Sequence, residues 1–403
     1  MATHRSFNIN VPTSKSLSNR WLALNYLCNN SLKLHNISAA DDTILMQTLL
    51  ERLRKGDNNT FDCKNAGTVA RFLTTLLSIH DGKDFVITGD ERMQNRPIKP
   101  LINALLQIGA DISYVNNEGH FPIKIKGKRI TANSISISAN ISSQFVSALM
   151  LIAPFLPQGL TIEMKGKIVS QAYIVMTQRV LQQAGIEVVW IENKIHIPNS
   201  SIKPQSIVIE KDWSSASYLY NWILFMAQKE YEFYIEGLFK DSCQGDKVVA
   251  ELYEPLGVST TYTASGIILK TGKRTAKSFA YNFKSCPDLA PTLAVACAGL
   301  GIPATLSGLD TLPYKETNRI EALTSELKKM NIDVSHNSTS LSIKAGKTKI
   351  TQPICTYNDH RMAMAFASLQ AFDNSIIIEK PEVVNKSFPE YWQEISSFIT
   401  HNE

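Results

Sequence analysis

A pattern of secondary-structure signals repeats along this chain of 403 residues. Each copy contains an apolar strand, a loop that begins with glycine, an amphipathic helix, and a second strand. The loop glycines of the clearest copies are Gly89, Gly166, Gly237 and Gly308, which lie 71 to 77 residues apart. Fainter copies begin near Asn36 and Pro381, so six copies are expected. Such repetition is typical of folds in which one supersecondary unit cannot bury its hydrophobic face alone.

Each copy also contains a second helix that is far more apolar and follows a polar residue suited to capping it. Such helices are expected in the interior with the strands outside them, because the copies must pack together to bury their apolar surface. The sequence therefore predicts an α/β fold with two domains of three repeats each, which divide near residues 210–212. The capping candidates are Ser14, Asn65, Ser142, Asp212, Asp288 and Asp359.

The composition favours small anionic ligands as partners. The net charge is +5, but the lysines and arginines are dispersed rather than grouped with aromatic residues, which argues against nucleic-acid binding. No apolar stretch reaches the roughly 18 residues of a membrane helix, and the N-terminus lacks the apolar region of a secretory signal. The six cysteines show no Cys-x-x-Cys spacing, which indicates reduced thiols. We therefore expect a cytoplasmic protein with no membrane or nucleic-acid partner.

Polar residues cluster where the apolar helices are predicted to begin. Unpaired backbone N–H groups and the helix dipole attract anions to such ends, so two domains facing each other there would form a phosphate-binding cleft. Lys15 and Arg20 oppose the dipole of the first apolar helix, which favours ligand binding over a solvated turn. Arg92 and Arg96 precede Pro97 and are suited to gripping a carboxylate or phosphate, although a single surface arginine usually has no such role.

The remaining clusters have both a structural and a functional interpretation. Asp288 heads an apolar helix, either as a cap or as a base in the cleft. Lys315, Glu316 and Arg319 lie within one helical turn, where a surface ion pair is the alternative. Cations at so many equivalent positions of the repeat favour the functional interpretation. The other members of these clusters are Ser142, Ser143, Gln144, Ser170, Tyr173, residues 358–361 and Lys386.

Taken in order, these motifs resemble those of the enolpyruvyl transferases, in particular the members that act on shikimate 3-phosphate. The resemblance covers nearly the whole chain, and the motifs are highly specific as a set. They are Ser-Lys-Ser-Leu-Ser-Asn-Arg (14–20), Asn-Ala-Gly-Thr (65–68), Arg-Pro-Ile (96–98), Ser-Ser-Gln-Phe (142–145), Asp-Trp-Ser-Ser-Ala-Ser-Tyr (212–218), Gln-Gly-Asp (244–246), Pro-Asp (287–288), Lys-Glu-Thr-Asn-Arg (315–319) and Asp-His-Arg-Met-Ala-Met (359–364).

The resemblance implies a fold of two inside-out α/β barrels that close around the substrates, each built from three repeats with buried helices and outer sheets. We expect residues 13–211 to form the N-terminal domain, and residues 1–12 with 212–403 the C-terminal domain, with the cleft between them. The implied substrates are shikimate 3-phosphate and phosphoenolpyruvate. No metal or organic cofactor is implied, and a monomer is expected.

Residue roles follow from the same resemblance. Shikimate 3-phosphate would be held by Lys15, Ser16, Arg20, Ser142, Ser143, Gln144, Ser170, Tyr173, Asp288 and Lys315. Phosphoenolpyruvate would be surrounded by Lys15, Gly67, Arg96, Gln144, Arg319, Arg361 and Lys386, and His360 belongs to the substrate-binding set. Asp288 is the expected base for the attacking hydroxyl, while Glu316 and Lys15 are expected to move protons to and from the methylene carbon. Gly67 predicts sensitivity to glyphosate.

The chain departs from the family pattern at several positions. Thr311 stands where the family usually has a substrate-contacting asparagine, and Asn318 stands where it has aspartate. Thr13 and Ala172 replace a usual glycine and proline. The stretch 51–64 is shorter than usual, which predicts that the first repeat has lost a pair of strands.

Two alternative functions are open at the level of sequence. A UDP-N-acetylglucosamine enolpyruvyl transferase is similar in architecture, but it usually carries a cysteine in the loop before its Arg-Pro motif, and residues 90–95 contain none. A non-catalytic anion-binding module built on the same repeats should have lost Lys15, Asp288 or Glu316. All three residues are present, which favours the enzyme acting on shikimate 3-phosphate.

Overall fold

The chain has a mixed α/β fold, seen in a computed structural model that describes residues 5–226 and 231–399. Its α-helices are α1 (Lys15–Leu27), α2 (Asp41–Lys55), α3 (Gly67–Ser78), α4 (Glu91–Gln94), α5 (Lys99–Gln107), α6 (Ser143–Ile152), α7 (Gln171–Gln183), α8 (Trp213–Phe225), α9 (Val249–Tyr253), α10 (Ala290–Leu300), α11 (Arg319–Lys329), α12 (His360–Ala367) and α13 (Tyr391–Ile399). Short 3₁₀ turns cover Ala153–Phe155, Gly245–Val248, Pro287–Leu289, Leu312–Tyr314, Ser368–Ala371 and Pro381–Lys386.

The strands are short, between three and six residues. In chain order they are β1 (Arg5–Asn8), β2 (Lys33–His35), β3 (Thr60–Asp62), β4 (Asp84–Thr88), β5 (Asp111–Tyr114), β6 (Ile123–Lys126), β7 (Ser134–Ser138), β8 (Leu160–Lys165), β9 (Val189–Ile191), β10 (Lys194–Ile197), β11 (Ser206–Val208), β12 (Tyr231–Glu236), β13 (Val258–Tyr262), β14 (Gly266–Thr271), β15 (Phe279–Asn282), β16 (Ala304–Ser307), β17 (Val334–His336) and β18 (Ser340–Ile343).

Four sheets share one arrangement, which confirms the repeat predicted from the loop glycines. Their strand orders are β3-β4-β6-β5, β7-β8-β10-β9, β1-β12-β14-β13 and β15-β16-β18-β17. In each sheet the first two strands are parallel and the other neighbours are antiparallel; in the last, Phe279 pairs with Ala304 and Ala304 with Ile343. Parallel strands need a crossover connection, and apolar helices α3, α6 and α10 supply it in three of the sheets.

The first repeat carries a reduced sheet. Strands β2 and β11 pair in parallel to form a sheet of two strands, without the antiparallel pair seen in the other four. The strand loss expected from the short 51–64 stretch is therefore confirmed. In the last repeat the parallel pairing is reduced further, to a single bridge between Ile354 and Ile378.

Contacts between Cα atoms divide the chain into two units. Lys15–Ile209 form one, which we call the N-terminal unit, and the residues up to Ser14 together with those from Glu210 onward form the other, the C-terminal unit. The chain passes between them twice because β1 belongs to the C-terminal unit, where it pairs in parallel with β12. Strands β2 and β11 pair within the N-terminal unit, near its two ends in the sequence. At these passages Ser14 N donates to Glu210 O at 2.9 Å.

A left-handed residue ends the amphipathic helix of each clear repeat. Gly109, Gly185, Gly257 and Asn331 have φ angles of 89°, 83°, 110° and 62°. Glycine adopts this conformation without steric cost, and asparagine is the residue that tolerates it next best. The glycine that follows the amphipathic helix in three of the copies is therefore a helix-ending signal, which explains why asparagine can replace it in the fourth copy.

The apolar helices are buried, as their composition predicts. Every residue from Ala290 to Ala298 of α10 is buried, as is every residue of α12, whereas the strands alternate buried and more exposed residues. Within the described residues, no helix combines the length and apolarity needed to span a membrane.

The capping predictions were correct at three of the six helices. The side chains of Ser142, Asp212 and Asp359 accept from backbone N–H groups at the starts of α6, α8 and α12. The prediction was wrong for Asp288, which lies in a 3₁₀ turn before α10, and for Asn65, because Ala66 occupies the N-cap position of α3. At the start of α1, Ser14 Oγ donates to Gln244 Oε1 at 3.1 Å.

Truncating the buried helix α10 tests this packing. Leu293 is 0% exposed, so Leu293→Ala should lower the free energy of unfolding by about 2 to 5 kcal/mol. Ile377 lies in the same unit with 61% exposure, and Ile377→Ala should change stability by less than about 0.5 kcal/mol. Urea denaturation followed by tryptophan fluorescence measures both; equal losses would contradict the interior position of α10.

Candidate active site

Arg319, the first residue of α11, organises the charged groups of the C-terminal unit. Its side chain is 1% exposed. Nη1 donates to Asp288 Oδ1 at 2.9 Å, Nη2 to Glu316 Oε2 at 2.9 Å, and Nε to Asp359 Oδ2 at 2.8 Å. Burial opposes the charge, yet the carboxylates of Asp359, Glu316 and Asp288 outweigh it and raise the pKa of this guanidinium. The cation is thus fixed among three carboxylates from separate chain segments.

Three cations of this unit contact the carboxylate of Asp288. Oδ1 lies 3.1 Å from Lys315 Nζ and 2.9 Å from Arg319 Nη1, while Oδ2 accepts from Arg361 Nη2 at 2.9 Å. The residue is 8% exposed, so the carboxylate is largely shielded from water. A carboxylate held in this way can accept a proton from a substrate hydroxyl that contacts it. A helix cap, the alternative role, would not require such an arrangement of cations.

Helix α12 presents the next two residues of the cluster. Asp359 caps it by accepting from Arg361 N at 2.9 Å, and His360 Nδ1 lies 3.8 Å from Asp359 Oδ1. Arg361 Nη1 donates to Tyr218 OH at 3.1 Å. Burial raises the pKa of Tyr218 to about 12, so its hydroxyl stays protonated at neutral pH. Arg361 is therefore held by two partners, Asp288 and Tyr218.

Lys386 completes this cluster from the 3₁₀ turn Pro381–Lys386. Its Nζ lies 3.8 Å from Glu316 Oε1, and the residue is buried. The C-terminal unit thus joins Asp288, Lys315, Glu316, Arg319, Arg361 and Lys386 in one network, all of which were named from the sequence. Asp359 and Tyr218 were missed as partners, because nothing in their local sequence reveals which distant cation each will meet.

In the N-terminal unit, Arg20 joins three helices. Nε donates to Thr177 Oγ1 at 2.8 Å and Nη2 to Ser147 Oγ at 3.2 Å, which links α1 to α7 and α6. The guanidinium also donates to the carbonyl oxygens of Ser16 and Tyr173 at 2.9 and 3.1 Å. Hydroxyl and carbonyl acceptors hold the guanidinium in place without cancelling its charge. Tyr173 contributes its backbone here, a contact that side-chain chemistry does not predict.

Lys15 pairs with a carboxylate that the sequence reasoning missed. Its Nζ lies 2.9 Å from Asp42 Oδ2, and both side chains are largely buried. Asp42 lies in the first turn of α2, where an acidic residue is ordinary because it favours the helix dipole. Because an acidic residue is ordinary at this position, the sequence does not reveal that Asp42 pairs with Lys15.

Gly67 and Arg96 lie against each other at the start of α3. A Cβ atom built on Gly67 would stand 2.8 Å from Arg96 Nη2 and 2.9 Å from Nη1, so only glycine leaves the guanidinium its present position. Buried Arg71, also missed, donates to Gly67 O at 3.2 Å and to Pro97 O at 3.1 Å. It ties the two segments that carry Gly67 and Arg96.

The uncharged candidates lie at two helix starts. Ser142 Oγ accepts from Gln144 N at 3.2 Å, and Gln144 Nε2 donates to Thr68 Oγ1 at 3.3 Å, which links the start of α6 to that of α3. Ser143 is buried in the same turn. Ser170 precedes α7 with a φ of 51°, a left-handed conformation that is uncommon for serine.

The structure shows the surroundings of two residues that depart from the family pattern. Thr311 Oγ1 is buried and has no hydrogen-bond partner among the described residues. Asn318 caps α11, accepting from Glu321 N at 3.5 Å, which aspartate would also do.

Comparisons with known proteins identify the family that this chain resembles. The family model for EPSP synthase (3-phosphoshikimate 1-carboxyvinyltransferase) matches residues 5–395. The 3-phosphoshikimate 1-carboxyvinyltransferase of Bacteroides fragilis is 40% identical over 396 residues, which cover 96% of this chain and 94% of that protein. The protein of the same name from Colwellia psychrerythraea is 34% identical over 411 residues, with 96% and 95% covered.

Two solved structures have a similar fold. An EPSP synthase from Acinetobacter baumannii superposes with a TM-score of 0.74 at 19% identity, covering 98% of this chain and 96% of that chain. The enolpyruvyl transferase NikO from Streptomyces tendae superposes with a TM-score of 0.70 at 13% identity, covering 98% and 95%. At these identities the likeness concerns the fold alone.

A buried carboxylate beside the network gives a pH-dependent prediction. Burial and the charge of Asp288 raise the pKa of Asp246 to about 6 from its ordinary 3.8, although Arg361 and the hydroxyl of Ser214 oppose the shift. The folded state therefore binds the proton of Asp246 more tightly than the unfolded state does. The contribution of this proton to the free energy of unfolding is complete below about pH 4 and is lost as the pH rises through 6.

Asp246→Asn, which cannot ionise, should therefore gain stability relative to the parent protein between about pH 4 and pH 6. Urea denaturation of both proteins across this range measures the difference. A difference that stays constant with pH, or that falls, would contradict the raised pKa.

Proposed function

Since the chain belongs to the EPSP synthase (3-phosphoshikimate 1-carboxyvinyltransferase) family, we propose that it transfers the enolpyruvyl group of phosphoenolpyruvate to the 5-hydroxyl of shikimate 3-phosphate and releases phosphate. This reaction makes it a transferase of alkyl groups in the shikimate pathway, which leads to chorismate and the aromatic amino acids. The observation that carries the proposal is the pair of shielded carboxylates, Asp288 and Glu316, that share the buried cation Arg319.

The reaction is an addition followed by an elimination. The methylene carbon of phosphoenolpyruvate gains a proton and becomes a methyl group, while the hydroxyl of shikimate 3-phosphate adds to the central vinyl carbon. Loss of a proton from that methyl group and departure of phosphate then restore the double bond. Asp288 accepts the proton of the attacking hydroxyl. Glu316 and Lys15 move protons to and from the methylene carbon. A positioned group of this kind typically contributes about 10²- to 10⁴-fold in rate.

The cations neutralise the charge that the phosphate and the carboxylate of each substrate bring together, and they stabilise the transition state. In this role we place Lys15, Arg20, Arg96, Lys315, Arg319, Arg361 and Lys386. Shikimate 3-phosphate is further held by Ser16, Ser142, Ser143, Gln144, Ser170 and Tyr173, and phosphoenolpyruvate by Gly67 and Gln144. His360 also belongs to the substrate-binding set. The existing ion pairs support this assignment, since they hold the cations in position before any substrate arrives.

We also propose an architecture of two domains. Each domain is an inside-out barrel of three repeats, with residues 13–211 in one and residues 1–12 and 212–403 in the other. The buried apolar helices and the recurring sheet order support it. We further propose that the protein acts in the cytoplasm as a monomer and needs neither a metal nor an organic cofactor.

Replacing Asp288 tests the chemistry. Asp288→Asn removes the proton acceptor while keeping its shape, so kcat should fall about 10²- to 10⁴-fold. Phosphate release from phosphoenolpyruvate and shikimate 3-phosphate measures it. Asp333→Asn, a change at an exposed ion pair of the same unit, should leave kcat unchanged. Circular dichroism melting of both variants separates lost chemistry from lost folding, and full activity in folded Asp288→Asn would refute the role.

The same assay with UDP-N-acetylglucosamine in place of shikimate 3-phosphate separates the two enolpyruvyl transferases. Release that depends on shikimate 3-phosphate is expected. Release with the nucleotide sugar alone would move the chain to the other activity, and no release with either would favour an anion-binding module.

A second variant addresses the phosphoenolpyruvate pocket. In Gly67→Ala the new methyl group displaces the guanidinium of Arg96, so KM for phosphoenolpyruvate should rise by about tenfold or more. Inhibition by glyphosate, expected for the parent protein, should weaken as well. Gly272→Ala is the matched control, because a Cβ atom there meets its nearest neighbour at 3.9 Å. An unchanged KM in Gly67→Ala would contradict the proposed contact.

A further inference from the structure

The residues just before α12 form a tight turn whose conformation is unfavourable for its sequence. Asp359 N donates to Thr356 O at 2.9 Å, which closes the turn, and its two central residues, Tyr357 and Asn358, have φ angles of 54° and 53°. Two positive φ angles in succession are characteristic of a type I′ turn, which favours asparagine and glycine. A tyrosine in the first of these positions is uncommon, so other contacts must hold it there.

A buried carboxylate supplies those contacts. Glu326, in α11, is 0% exposed. Its Oε1 accepts from Tyr357 OH at 2.6 Å, and its Oε2 accepts from Cys355 N at 3.2 Å. Lys329 Nζ lies 2.9 Å from the same carboxylate and balances its charge. Burial and this carboxylate raise the pKa of Tyr357, so the hydroxyl remains a donor.

The same helix holds both ends of the turn. Arg319 and Glu326 lie seven residues apart on α11, about two helical turns, and therefore on one face. Arg319 binds the carboxylate of Asp359, and Glu326 binds Tyr357 and the backbone of Cys355. Chain segment 355–359 is thus fastened at both ends to α11, and the direction in which α12 leaves it is set by these contacts.

We propose that Glu326 and Tyr357 are positioning residues, which set Asp359 and Arg361 in the geometry that phosphoenolpyruvate requires. The inference rests on the proposed function, in which Arg361 contacts that substrate. Neither residue touches the substrate; they act through the turn. Losing the Tyr357 hydroxyl would free the turn to leave its left-handed conformation, and Arg361 would shift away from Asp288 and Tyr218.

Tyr357→Phe removes the hydroxyl and keeps the ring, so the fold is retained. We expect kcat/KM for phosphoenolpyruvate to fall by about tenfold, as for loss of a hydrogen bond to a charged group, with KM for shikimate 3-phosphate unchanged. Tyr234→Phe is the matched control, since that half-buried hydroxyl bonds Ser265 Oγ at 2.7 Å far from this turn in sequence. Glu326→Gln, which keeps an acceptor for Tyr357, should lose less activity than Glu326→Ala.

Hydrogen–deuterium exchange gives a readout that does not depend on activity. Amides of residues 355–361 should exchange faster in Tyr357→Phe than in the parent protein or in Tyr234→Phe. Faster local exchange in a protein whose parent form has no activity would refute the proposed function while supporting the anchoring of the turn. An active parent protein, with kinetics and exchange in Tyr357→Phe equal to those of Tyr234→Phe, would overturn the positioning role.

Discussion

Removing a guanidinium from water costs several kcal/mol unless negative charge and hydrogen-bond acceptors meet it in the interior. Arg319 is such a group, and the way its cost is offset determines much of the C-terminal unit. Its three nitrogens engage carboxylates from the turn before α10, from the segment before α11, and from the cap of α12. Removing any one partner would leave charge uncompensated, a change that typically costs about 3 to 5 kcal/mol in buried pairs. The members of the network therefore depend on one another. Lys315 and Arg361 join it through Asp288, and Lys386 joins it through Glu316.

In the N-terminal unit Lys15 is also paired with a carboxylate, that of Asp42, but two arginines are held through neutral oxygens. Arg20 donates to hydroxyl and carbonyl oxygens of α1, α6 and α7, and Arg71 donates to carbonyls on both sides of the Gly67 and Arg96 contact. Neutral acceptors orient a guanidinium but leave its charge available to an anion. The C-terminal unit supplies carboxylates able to exchange protons, whereas the N-terminal unit supplies serine hydroxyls and cations suited to phosphate. This division matches a reaction whose acceptor carries a phosphate and whose donor loses one.

Much of the fold was predictable because it follows from local rules. The regularly spaced loop glycines predicted the repeat, and the apolar helices were recognised as buried from composition alone. Ser142, Asp212 and Asp359 cap helices because short polar side chains satisfy free N–H groups. The same rule gave a wrong prediction for Asp288. Its carboxylate instead contacts cations in α12 and in and just before α11, which lie far away in sequence. The strand partners of β1 and β11 were not predicted, because pairing between segments about 200 residues apart leaves no local signal in the sequence.

The structure brings the charged candidates of the C-terminal unit together in one network, but several of their partners were not predicted from the sequence. Asp42, Arg71 and Glu326 lie in ordinary helical positions, and only the fold shows that each meets a functional segment. Phosphorus NMR of the protein with phosphoenolpyruvate and shikimate 3-phosphate would distinguish enolpyruvyl transfer from hydrolysis. We expect the enol phosphate signal to give way to inorganic phosphate while the sugar-like phosphate remains esterified in a new product. Inorganic phosphate formed while shikimate 3-phosphate stays unchanged, or loss of its own phosphate, would mean hydrolysis and would contradict enolpyruvyl transfer.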